Sequence, residues 1–105
     1  MKIYWTDFAN SQLKNIFEFY NHNVNKKAAK TIVIEIVKKT ETLKSFPNLG
    51  SKEILLEDRK ENFKKIIYKN YKIIYWINIT KNRIEIADIF DVRQNPIKMI
   101  DKSSQ

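Results

Sequence analysis

Between Phe63 and Val92 the chain reads as three runs of β-branched and aromatic residues, interrupted at Lys69-Asn70 and Lys81-Asn82 and closed by Asp91-Val92-Arg93-Gln94-Asn95-Pro96. Alternation of this kind specifies strands, and short polar breaks between such runs specify hairpins. Pro96 cannot donate to a sheet ladder, so the last strand ends before it, with Arg93 just ahead of the stop. This third of the chain therefore dictates an antiparallel meander, which needs a covering layer to bury one of its faces.

The preceding residues supply that layer. Lys2 to Trp5 has strand character, and Thr6-Asp7 favours a helix start. Ala9, Leu13, Ile16, Phe17 and Tyr20 then recur at helical spacing, as do Ala29, Ile32, Val33, Ile36, Val37, Thr40 and Leu43 beyond a break at His22 to Asn25. Asn25 is placed to cap the second helix, and the short connection predicts an antiparallel helical hairpin. Phe46-Pro47-Asn48-Leu49-Gly50 ends it with a proline and the only glycine in the chain. Glu53 to Glu57 fits either a short strand or irregular structure. The expected fold is α+β: an N-terminal helical hairpin packed on a mainly antiparallel sheet of three or four strands, one domain over 1–105 with a frayed tail from about 100.

If Lys69-Asn70 and Lys81-Asn82 are two-residue turns, period-two alternation assigns every strand residue to a face. Ile66, Tyr68, Tyr71, Ile73, Tyr75, Ile77, Ile84, Ile86 and Phe90 face the helices. The other face holds Phe63, Lys65, Ile67, Lys72, Ile74, Trp76, Ala87, Ile89, Asp91 and Arg93, with Lys72 opposite Asp91. That face is apolar yet seeded with charge, the make-up of a binding surface for stacked bases and phosphate or for an acidic, apolar peptide. A minor core with an ordinary Lys72–Asp91 pair accounts for the same residues.

Composition narrows the chemistry. The formal charge is +8, but only three of the 20 basic residues are arginine, the better bidentate reader of bases. A solvated lysine surface, a polyanion site and an acidic protein partner all fit this excess, and the dense run of Arg59, Lys60, Lys64, Lys65, Lys69 and Lys72 admits the first two equally. With no cysteine and one histidine, His22, there is no disulfide framework and no metal-ligand spacing. One glycine cannot build a phosphate loop, and no serine has a partner histidine in an evident triad pattern. No cofactor or metal is expected. No apolar run would cross a bilayer and Met1-Lys2 leads into no export signal, so a cytoplasmic protein without membrane contact is expected.

The order of these features resembles the RelE/ParE toxin superfamily over nearly the whole chain: a first strand, a helical hairpin, the Pro47 to Gly50 break, the Tyr71-Lys72-Ile73-Ile74-Tyr75 strand and the Asp91 to Pro96 close. The resemblance implies the toxin of a type II toxin–antitoxin system, of the kind associated with growth inhibition and plasmid stabilisation. A cognate antitoxin would neutralise it in a hetero-oligomer. RelE-like members cleave messenger RNA on the ribosome, and on that reading Lys72 replaces the strand arginine and Arg93 matches the distal one. Met99 lies near the place of a catalytic tyrosine, and a thioether cannot transfer a proton. The expectation is therefore the ParE-like alternative, a non-enzymatic inhibitor of DNA gyrase. Its target- or antitoxin-binding face would be Phe63, Lys65, Lys72, Ile74, Trp76, Asp91 and Arg93. A RelE-like ribonuclease and a non-toxic binding module of the same fold are the alternatives.

Overall fold

The computed structural model describes residues 1–103. Strand β1 (Lys2–Trp5) leads into helix α1 (Asp7–Asn23) and helix α2 (Lys26–Glu41). A 3-10 turn at Thr42–Lys44, strand β2 (Ser51–Lys52), a 3-10 turn at Ile54–Leu56, strands β3 (Lys64–Tyr68), β4 (Tyr71–Asn78) and β5 (Arg83–Asp91), and helix α3 (Pro96–Ser103) complete the order. The five strands form one sheet, β1-β5-β4-β3-β2, in which β1 runs parallel to β5 and every other pair is antiparallel. The α+β class and helical hairpin are as expected. The sheet is one strand larger than the upper expectation.

Local chemistry sets the helix starts. The Thr6 hydroxyl accepts from Ala9 N at 3.1 Å and donates to the Ile86 carbonyl at 2.9 Å, so one side chain caps α1 and ties it to β5. Asn25 Oδ1 accepts from Ala28 N at 2.8 Å at the start of α2. Only Val24 and Asn25 separate the helices, which places His22 in the last turn of α1 and not in the connection. No helix among the described residues is long and apolar enough to cross a membrane.

The helix stripe of Ala9, Ile16, Ile32 and Ile36 packs on Ile66, Tyr71, Ile73, Tyr75, Ile84, Ile86 and Ile89. At one end of this core the Tyr75 hydroxyl donates to the Pro47 carbonyl (2.8 Å) and accepts from Gly50 N (2.9 Å), and burial raises the phenol's pKa above its ordinary value. A side chain at residue 50 would place Cβ 2.5 Å from the Lys65 carbonyl oxygen, so this approach requires glycine.

Two departures from the expected register act differently. Tyr68 pairs with Tyr71 around Lys69-Asn70 as expected, with Lys69 in the left-handed region at φ 52°. At the next connection Asn78, not Thr80, pairs with Arg83, an even shift that leaves every face unchanged. Further along, Tyr75 pairs with Ile86 but Ile74 pairs with Asp88. Ala87 is thus an extra residue in β5, a bulge that inverts the faces beyond it. Ile89 joins the helix-side core and Phe90 turns to the far side, the reverse of the expected assignment.

The far side is not bare. Leu56, Phe63, Ile74, Phe90 and Met99 form a second core there, with Trp76, Ala87 and Ile100 at its rim. The Ile54–Leu56 turn and α3 cover the strip that alternation alone left open. Helix α3 continues to Ser103, past the point where a frayed tail is expected; residues 104 and 105 lie outside the described residues.

Candidate functional site

The charged residues singled out in the sequence fall into two groups on opposite sides of the sheet. On the far side, β2 carries the chain alongside β3, and Glu53 N donates to the Phe63 carbonyl at 2.9 Å. Glu53 is only 1% exposed there, and its carboxylate receives Lys72 Nζ at 2.6 Å and Lys65 Nζ at 3.6 Å. A carboxylate so far from water requires cationic partners, so Lys72 is committed to an internal ion pair. Along the same face Arg83 makes a two-pronged contact with Glu85, at 2.6 and 3.0 Å, and stacks 3.8 Å over the Tyr4 ring.

On the helix side, the end of β5 and the start of α3 form a cleft with α1 of about 430 Å³. Ile16, Phe19 and Ile89 supply apolar wall, while Gln12, Asn15 and Gln94 supply amides. Tyr71 and Asp91, which pair across β4 and β5, line it together with Arg93 and Lys98. The Asp91 carboxylate accepts from Arg93 Nε at 3.0 Å, from Nη2 at 2.7 Å and from Arg93 N at 2.9 Å. These bonds, the guanidinium first, hold the Asp91 pKa down at about 2. The carboxylate in turn raises the pKa of Arg93. The Tyr71 phenol is pushed up, first by burial and then by its hydrogen bond with Tyr20 and the nearby Asp91 charge, so it stays protonated.

Phe63, Lys65, Lys72, Ile74 and Trp76 therefore do share a face, but Asp91 and Arg93 do not share it. Lys72 sits opposite Phe90, and Asp91 sits opposite Tyr71. The cause is the Ala87 bulge, which shifts the far half of β5 by one residue. Phe63 and Ile74 are buried core residues, and only Trp76 among the apolar members reaches the rim. Met99 is wholly buried in the same core, away from any solvent-facing position that could meet a substrate.

Alternation missed Glu53 because the acid lies in a segment with no periodic signal. The Arg83–Glu85 pair was also missed, although residues two apart on a strand share a face and that spacing was the available signal. Among the described residues no three His, Cys, Asp or Glu side chains are grouped to hold a metal ion. What the cleft offers is anion recognition: a fixed guanidinium beside an ammonium, amide donors and an apolar wall.

Comparison with known proteins places these features in context. The family described as the ParE toxin of type II toxin–antitoxin system, parDE, matches residues 3–96. A search of curated proteins finds no match. Among solved structures, one described as a chromosomal ParDE TA system from P. aeruginosa superimposes with a TM-score of 0.73. It is 19% identical and covers 88% of this chain and 96% of its own. At that identity the likeness is one of fold.

Proposed function

The chain belongs to the family of ParE toxins of type II toxin–antitoxin systems, and from that membership we propose that it arrests growth by binding DNA gyrase in the cytoplasm. It does so without catalysing a reaction, and a cognate antitoxin neutralises it in a hetero-oligomer. The observation that carries the non-enzymatic reading is the separation of Lys72 from Arg93. The RelE-like alternative would need both cations at one phosphate, whereas here Lys72 lies on the far face against Glu53 and Arg93 lies in the helix-side cleft. The burial of Met99 supports the same reading, because no proton-transfer group occupies that position. The +8 charge favours an antitoxin with an acidic toxin-binding segment. Trp76 and Lys65 at the rim of the far face, and the α1 cleft with Asp91 and Arg93, are the surfaces such a segment would cover.

The test is a supercoiling assay with purified gyrase and purified toxin, paired with transcript mapping after induced expression. Inhibition of supercoiling, relieved by the antitoxin, is expected. Codon-positioned messenger cleavage within minutes, with supercoiling unaffected, would replace this reading with ribosome-dependent ribonuclease activity.

A further inference from the structure

We infer that the cleft between α1 and the β5–α3 junction reads a carboxylate: Arg93, clamped along one edge by Asp91, presents its other edge to an acidic side chain of the antitoxin. The inference rests on the antitoxin reading above and names the group that the antitoxin supplies.

A guanidinium has two edges that can grip a planar oxyanion. Asp91 takes the side edge, through Nε and Nη2. Among the side chains of residues 1–100 nothing bonds Nη1, which leaves the end edge, Nη1 with the second Nη2 hydrogen, open to a ligand there. The clamp also fixes the group, because Asp91 holds the Arg93 backbone N–H while the side chain remains 62% exposed. An arginine already ordered loses little freedom on binding, which favours affinity for a ligand matching its fork.

The surroundings select the ligand class. Phe19 and Ile16 line the cleft beside the arginine and suit the methylenes of an acidic side chain or an adjoining apolar residue. A volume of about 430 Å³ is at the small end for ligand sites, enough for one or two peptide side chains. Nucleic acid fits less well. A strand of phosphates requires a track of free cations, yet Lys65 and Lys72 are matched by Glu53 on the other face of the sheet.

The experiment is a titration of the isotope-labelled full chain, followed by NMR at Arg93 Nε–Hε and at the side-chain amides of Gln12, Asn15 and Gln94. The probes are acetyl-Glu-Leu-amide, its acetyl-Gln-Leu-amide match and a short single-stranded oligonucleotide. Saturable shifts with the glutamyl peptide at roughly millimolar affinity are expected. The glutaminyl peptide should bind about tenfold or more weakly, as loss of a charge-assisted bond implies. Arg93→Lys, which keeps the charge but not the fork, should weaken the glutamyl peptide similarly and accelerate antitoxin dissociation by about tenfold or more. Thermal melting of the variant excludes misfolding as the cause. Equal responses to the two peptides, tighter binding of the oligonucleotide at these resonances, or unchanged antitoxin dissociation from Arg93→Lys would each overturn the inference. A failed supercoiling assay would remove the proposed target and leave this titration standing, so the two failures are distinguishable.

Discussion

Replacing Lys72 by methionine tests whether this lysine serves the fold or a substrate. The substitution keeps the length of the stem and removes the ammonium 2.6 Å from Glu53. The buried carboxylate then retains, among the described residues, Lys65 Nζ at 3.6 Å, which also donates to the Lys52 carbonyl at 3.4 Å. Breaking a buried pair typically costs about 3–5 kcal/mol, and the remaining lysine reduces this to roughly 2–3 kcal/mol. The reverse change, Glu53→Gln, leaves two ammonium groups whose side chains are about a fifth exposed, at 20% and 23%. Both can swing toward water, so the expected cost is only about 1 kcal/mol. At roughly 4 °C per kcal/mol for a domain of this size, Tm should fall by about 8–12 °C for Lys72→Met and about 4 °C for Glu53→Gln. The double variant should recover part of the loss, with a coupling of about 1–2 kcal/mol. Thermal unfolding followed by circular dichroism reads all four proteins. A Tm for Lys72→Met within about 1 °C of the unsubstituted chain would refute the reasoning. It would mean that Lys72 is not committed to Glu53, and would restore it as a candidate phosphate ligand.

Other perturbations check separate parts of the structure. Gly50→Ala places a methyl 2.5 Å from the Lys65 carbonyl oxygen and 2.8 Å from the Tyr75 ring; overpacking and the lost hydrogen bond to Tyr75 should cost about 2–4 kcal/mol in chemical denaturation. Asp91 has a depressed folded-state pKa, about 2 against an ordinary 3.8. Its stabilising contribution is therefore complete above about pH 4 and lost as pH falls through 2, and Asp91→Asn should flatten the dependence of Tm on pH in that window. Met99→Ala empties a fully buried site beneath α3; a loss of about 2–4 kcal/mol is the ceiling, since α3 can detach locally, and hydrogen exchange should accelerate first at Phe90 and Ile74.

Much of this architecture is written in short stretches of sequence. The helical stripes, the Thr6 and Asn25 caps and the Lys69-Asn70 turn each involve residues within a few positions of one another, so local spacing and turn chemistry suffice to specify them. The composition of the far face over β3 and β4 follows from the same alternation, and Lys65, Lys72, Ile74 and Trp76 were correctly grouped by it. Arg93 was recognisable as a candidate from its place before Pro96, but its side of the sheet was not. That depended on the bulge at Ala87, where neither glycine nor proline marks the extra residue and only pairing with Ile74 and Tyr75 reveals it. The parallel docking of β1 on β5, the cover of α3 over Ile74 and the burial of Glu53 against Lys72 likewise join residues distant along the chain. Periodicity encodes which side chains share a face only while register is unbroken; three-dimensional packing decided where it broke, and with it which charges could meet.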